Sequence, residues 1–330
     1  MTRPVGRPRA DLLGAGLVAL AAACFGTLGP LSRFAGDAGV DSLTLVTWRA
    51  ALGGLVVGLF IGLRFALAGV RPRSLGSLPI RDRWFMLAAA VANTVLNLAA
   101  FIAFERITIA LTLLVFYLYP AGVAVASVLW FGERLDRARW VALAVSLCGM
   151  VLVVSGAESL GEVDPVGIGL ALLAGVAQAF YVLAARHGFA HVPGPQAAAM
   201  TMGGAALLYL LIAVAVGSLG ALRTPLGSNE AIVPVVLAGV IGAGVPTLAF
   251  ITGIRRLGPS QAAILATLEP VVGVGLAAWL LAEQPAPIQV LGGGLILGAA
   301  VLLQLRPGVP AEHEAVATDD REEPRDVLAR

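Results

Sequence analysis

Lysine is absent from this chain, histidine occurs three times and cysteine twice, and charged residues make up only 13% of its 330 positions. Globular domains carry roughly 25% charged residues because each needs a solvated surface. A water-soluble core-and-shell protein is excluded. The 22 arginines nearly balance the 20 acids, for a formal charge of +2, so bulk charge points to no nucleic-acid partner. Cys24 and Cys148 both fall inside long apolar runs, where neither is placed for a disulfide or a zinc framework. They read as small packing residues.

What fills the chain instead is apolar: 58% hydrophobic residues, 40 glycines and a mean hydropathy of +0.90. The missing polar surface must face lipid, which makes the bilayer the first partner. A hydrocarbon core about 30 Å thick takes about 20 apolar residues at about 1.5 Å each. Cutting at charged or proline-rich joints yields ten such pieces, at 12–33, 43–63, 84–104, 108–131, 138–156, 166–185, 196–217, 231–254, 260–282 and 287–305. Two joints are tight: Glu105-Arg106-Ile107 and Arg255-Arg256-Leu257-Gly258-Pro259. Arg3, Arg7 and Arg9 before an apolar run imitate a secretory leader, and Ala21-Ala22-Ala23-Cys24 imitates a lipoprotein cleavage box. The run continues to Phe34 and many follow it, so it reads as a first retained membrane helix.

Arginine position sets the orientation, since positive residues stay on the cytoplasmic side during insertion. With the N-terminus inside, the cytoplasmic segments take the arginines at the start, those between Arg64 and Arg83, the cluster Arg134 to Arg139, Arg186, Arg255, Arg256 and those of the tail. The opposite face keeps only Arg33, Arg106 and Arg223 and is acidic, with Asp37, Asp41, Glu158, Glu162, Asp164 and Glu230. Both termini are expected in the cytoplasm. Residues 306–330 mix prolines, acids and arginines without apolar period and read as a disordered cytoplasmic tail.

Shifting the chain by 150 residues superposes Arg106 on Arg256, Leu118 on Leu268, Pro120 on Pro270 and Glu133 on Glu283. In each half an arginine turn leads into a helix broken by a mid-span proline and ended by a glutamate. The halves are 12–156 and 166–305, joined by an external linker at 157–165 and preceded by a cytoplasmic N-terminus at 1–11. Five crossings per half invert the second copy relative to the first, an arrangement that holds substrate near the midplane between the repeats. The fold expected is an all-α membrane protein of ten transmembrane helices in two inverted five-helix repeats.

Tyr119-Pro120 through Phe131-Gly132-Glu133-Arg134-Leu135, and again Thr267-Leu268-Glu269-Pro270-Val271-Val272 through Leu280-Leu281-Ala282-Glu283, resemble the paired signature of the EamA family in the drug/metabolite transporter superfamily. Trp48-Arg49 resembles an aromatic-arginine pair common there. Ala282 stands where a glycine is usual, and Gln284-Pro285 replaces an Arg-Leu pair. The resemblance covers about 12–305. It implies a central cavity lined chiefly by the first, third, fourth, sixth, eighth and ninth spans, and export of small metabolites such as amino acids across the inner (plasma) membrane. It is poor for substrate.

An ionisable side chain at bilayer depth is costly and should face protein or water. Glu269 lies nine residues into the ninth span, about 14 Å along it. Pro270 removes a backbone donor and frees a carbonyl near Ala266, so carboxylate and carbonyl together suit a cation or a substrate ammonium. Proton coupling through Glu269, or a role confined to packing, stays open. Arg49, beside Trp48, suits a substrate carboxylate, an ion pair with Glu269, or snorkelling to the headgroups. Asn93 and Asn97 share one face of the third span, with Thr94 beside them, as cavity lining or as interhelical glue. Tyr117 and Tyr119 precede Pro120, Gln178 and Tyr181 lie on the sixth span, and Thr247 follows Pro246. Polar groups concentrated at mid-span point to a wet central cavity.

Glu133 and Glu283 read as acids that order the turns after their helices. The ridges Gly54/Gly58/Gly62 and Gly294/Gly298 suit close helix packing, with a homodimer contact through the tenth span as the alternative. His187 and His191 have the spacing of a zinc pair, but Gly188 stands where the metalloprotease motif needs Glu, and Pro193 and Pro195 suggest a loop. No metal, cofactor or phosphate-cradling motif is expected, and no enzyme signature is found. The function indicated is secondary active export of small polar metabolites by alternating access. The alternatives are an uncoupled facilitator or importer and, in another class, a membrane scaffold or enzyme without transport.

Overall fold

The computed structural model describes residues 11–107, 109–133, 135–155, 164–189, 191–280 and 286–305. Residues 1–10 of the expected cytoplasmic N-terminus, the expected tail, the linker acids Glu158 and Glu162, and Arg134, Ala282, Glu283, Gln284 and Pro285 lie outside them. Among the described residues every regular element is helical. The α-helices are α1 (Leu12–Gly26), α2 (Leu28–Asp37), α3 (Ser42–Ala68), α4 (Ile80–Arg106), α5 (Ile109–Phe116), α6 (Tyr119–Phe131) and α7 (Arg137–Ser155). They continue with α8 (Pro165–Leu183), α9 (Gly194–Ala215), α10 (Asn229–Gly239), α11 (Val245–Leu257), α12 (Pro259–Ala266), α13 (Leu268–Leu280) and α14 (Pro287–Leu305). Seven helical stretches among the described residues are long and apolar enough to cross a membrane, among them Leu12–Asp37, Pro165–Gly188 and Asn229–Leu257. Leu59, Leu129, Trp130 and Trp279 project outward largely exposed, a surface suited to acyl chains rather than water.

Prolines explain where the rods break. A proline lacks the N–H that would bond the carbonyl four residues earlier, and its ring crowds that carbonyl. The α1–α2 break falls at Thr27 before Pro30, the α5–α6 break at Tyr117 and Leu118 before Pro120, and the α12–α13 break at Thr267 before Pro270. Thr27 and Thr267 each turn the hydroxyl back to a carbonyl three residues earlier, on Cys24 at 2.7 Å and Ile264 at 2.6 Å. A fourth interruption, a π-helical turn at Val240–Gly244, precedes Pro246. The α4 helix runs through Glu105 and Arg106, which sequence reading assigned to a turn. Its last-turn arginine fits the helix macrodipole there.

Acids and one serine start the helices. Asp11, Asp41 and Asp164 accept the backbone N–H of Gly14, Thr44 and Val166, each at 2.9 Å, and Ser228 accepts that of Ala231 at 3.2 Å. The Val166 N–H, and after it the Arg106 guanidinium at 3.1 Å, holds the Asp164 carboxyl below its ordinary value.

The halves interleave: α1 packs on α11, α12 and α13, α3 on α9, and α4 on α8 and α9, while α14 lies along α7. One large apolar cluster, including Val18, Val123, Ile254 and Leu265, fills the end of the bundle where α11 meets α12. A second, including Ala35, Val46, Phe101 and Tyr209, packs α2, α3, α4, α9 and α10 together toward the opposite end. Between them lies a cavity.

Candidate functional site

The cavity has a volume of about 140 Å³, room for several water molecules at about 30 Å³ each in the liquid. Its wall is built from α1, α2, α3, α4, α5, α8, α9, α11 and α13. Of the residues singled out in sequence, Glu269, Arg49, Asn93, Asn97, Gln178, Tyr181 and Thr247 all face it. These come from five helices far apart in the chain, α3, α4, α8, α11 and α13, so the fold gathers polar groups into one space.

Arg49 is buried, with 6% of its surface exposed. Its Nε and Nη2 both donate to the Gly242 carbonyl, at 3.2 and 2.9 Å, and its Nη1 donates to Asn97 Oδ1. Asn97 in turn donates from Nδ2 to the Asn93 carbonyl at 2.7 Å and to Asn93 Oδ1 at 3.1 Å. Tyr209, on α9, closes the network by donating to the Thr94 carbonyl at 3.0 Å. The asparagines thus line the cavity and also tie helices together. Arg49 and Glu269 lie within electrostatic range of one another but form no ion pair among the described residues. Arg49 and Glu269 therefore occupy two parts of one cavity.

Glu269 stands in the first turn of α13, just after the Thr267 break. The Tyr117 hydroxyl, fully buried at the matching break between α5 and α6, faces it without completing a hydrogen bond. The Tyr117 and Tyr119 rings pack on Phe116 at 5.2 and 5.3 Å between centroids, and Phe116 lines the cavity. Both tyrosines sit behind the wall. Trp48 lies elsewhere: its Nε1 donates to the Leu222 carbonyl at 2.9 Å, and its ring borders a separate apolar groove between α3 and α9. Pro120 and Pro270 lie one turn past the carbonyls of Phe116 and Ala266 at the two breaks.

Sequence reading missed the rest of the wall. Ser32 and Thr112 are hydroxyls in apolar runs, a signal that was available. Phe25, Phe101, Phe104, Phe116, Phe250 and Met202 gave none, because an apolar residue in an apolar helix faces lipid, core or cavity according to helix rotation alone. Arg49 and Met202 also bring α3 and α9 into a wall expected chiefly from other spans. The two histidines diverge. His187 stacks on Phe131 at 3.9 Å, and His191 pairs with buried Asp82 at 3.1 Å.

The family model described as the EamA-like transporter family matches twice, over residues 12–155 and 165–305. The chain belongs to the EamA-like transporter family. It is a multi-pass membrane protein and a transporter rather than an enzyme. This EamA-like protein is 28% identical over 283 residues to an uncharacterized transporter of Archaeoglobus fulgidus, a match covering 84% of this chain and 92% of that one. A solved crystal structure shares its fold with a TM-score of 0.72 at 21% identity, covering 89% of this chain and 97% of the other. The two matched segments of the EamA-like transporter each contain one of the proline-broken helices that meet near Glu269.

Proposed function

We propose that this EamA-like chain is a secondary active transporter of the plasma membrane that exports small polar metabolites, amino acids or related compounds, by alternating access. In this reading ten crossings form two inverted five-helix halves with both termini in the cytoplasm, and the central cavity is the substrate site. The observation that carries it is the central cavity holding Arg49 and Glu269 together, enclosed by helices of both halves. Ionisable groups are costly to place at this depth, which is hard to reconcile with a passive scaffold.

The state is read as outward-facing. Ser32 and Phe104, which line the cavity, lie near the ends of α2 and α4 that arginine counting puts outside. The other side is shut by the apolar cluster around Ile254 and Leu265, and by polar contacts beneath it: Arg256 to Asp11 at 2.8 Å, and Ser260 to Glu133 at 2.9 Å.

Glu269 is the coupling group in this reading. Proteoliposomes test it with a panel of radiolabelled amino acids and an imposed pH gradient. Wild-type flux is expected to follow the gradient, while Glu269→Gln retains exchange and loses the gradient dependence. Flux that ignores the gradient in the wild type removes coupling and favours the facilitator; no flux with any substrate removes transport of this class.

A further inference from the structure

An α-helical N–H at position 246 would bond the carbonyl of residue 242. Proline has no such N–H. The turn before it runs in the π register, with the Val245 N–H on Val240 O, and the α register, in which an N–H at 246 would reach Gly242 O, resumes in α11. Gly242 O takes two donors from Arg49, at 3.2 and 2.9 Å. The approach is built into the backbone. Gly53 lies four residues after Arg49, on the same face of α3, and a Cβ on Gly53 would stand 3.0 Å from Ala243 Cβ and 3.2 Å from Gly244 N. A Cβ on Gly244 would stand 3.2 Å from the Gly53 carbonyl. Glycine on both sides lets the π-helical turn Val240–Gly244 press against α3, which carries the freed carbonyl to the guanidinium.

A guanidinium has five N–H donors. Two go to Gly242 and one to Asn97, and the others find no acceptor among the described residues, although Arg49 lines the cavity. A planar fork with unspent donors at a cavity wall matches a carboxylate. We infer that Pro246 is a positioning residue: by withholding the N–H that a helix would spend on Gly242, it leaves that oxygen to orient Arg49 toward a substrate carboxylate. The inference rests on the transport reading for its substrate, and on the backbone geometry for Pro246.

The experiment has an arm for each. In the first, purified full-length protein is treated with phenylglyoxal, and modification of Arg49 is measured by mass spectrometry relative to exposed Arg106. Pro246→Ala restores the N–H and is expected to raise the Arg49 ratio about fivefold, the order of loss for one hydrogen bond of ordinary net strength. Replacing residue 246 by lactate, an alanine analogue with an ester oxygen in place of the N–H, is expected to return the ratio to wild type. An unchanged ratio in Pro246→Ala, or a lactate protein that behaves like the alanine variant, overturns the role of the missing donor. Should Pro246→Ala fail to fold, Pro246→Gly restores the same N–H and is expected to raise the ratio likewise, an unchanged ratio overturning the role.

In the second arm, proteoliposome flux of leucine is compared with that of 3-methylbutylamine, which lacks only the carboxylate. Pro246→Ala is expected to lower the leucine preference about fivefold through KM rather than kcat. A changed Arg49 ratio with unchanged preference overturns the link to the carboxylate. A wild type that moves neither compound overturns the substrate assignment, and the phenylglyoxal arm still decides whether Pro246 holds Arg49.

Discussion

Ser260 donates its hydroxyl to Glu133 Oε2 at 2.9 Å, joining the start of α12 to the end of α6 across 127 positions of sequence. Arg139 Nη1 holds the other carboxylate oxygen at 3.3 Å. Glu133 therefore does more than order its own turn. It fastens one matched half of the chain to the other at the end where the cavity is shut. The turn it meets begins at Gly258, whose φ of 88° favours a residue without Cβ and whose carbonyl accepts the N–H of Ala262 at 3.2 Å.

Glu133→Ala is expected to loosen this closure. A hydrogen bond to a charged group is worth about 1.5–3 kcal/mol, and partial exposure reduces it to about 1, a shift of about fivefold between states. With Cys24 and Cys148 replaced by serine and Thr247→Cys placed in the cavity wall, an impermeant maleimide applied from the cytoplasmic side should label about fivefold faster in Glu133→Ala. Equal labelling rates would show that the contact contributes nothing to closure.

Packing between α7 and α14 depends on a different glycine pair from the ridge expected in sequence. A Cβ on Gly292 would stand 2.5 Å from the Gly149 carbonyl and 2.7 Å from Val153 N, backbone that cannot move aside cheaply. Gly294 and Gly298 face open space. Gly292→Ala is expected to cost about 1–3 kcal/mol by overpacking, whereas Gly298→Ala should be neutral or gain up to about 1 kcal/mol from helix propensity. Thermal unfolding in detergent separates them. A drop in Tm for Gly298→Ala would instead indicate a second copy packed on that face.

Asp164 gives the acid side of stability. Its carboxyl sits below the ordinary value of 3.8 because the Val166 N–H and Arg106 favour the charged form. A depressed folded value means that the contribution is present above the unfolded value and fades as pH falls through the folded one. The Tm difference between wild type and Asp164→Asn is therefore expected to be constant near neutrality and to shrink below about pH 4. A difference that persists or grows toward pH 2 would contradict the assignment.

The amino-acid sequence by itself determined the solvent, the helical class, the family resemblance, the proline breaks, and the set of polar groups that cannot face lipid. Each of these follows from local hydropathy or from a covalent feature such as the missing proline N–H. Glu269 and Pro270 were legible for that reason. Only the tertiary structure decided which way each helix turns. Trp48 and Arg49 are neighbours, yet successive residues on a helix point about 100° apart, so Trp48 reaches Leu222 while Arg49 reaches the cavity. Tyr209 joined the network, and Gly242 became the arginine's partner, through pairings between helices far apart in the chain. Nearly uniform hydrophobicity hides such pairings, because a helix apolar on all sides carries no mark of the face it buries.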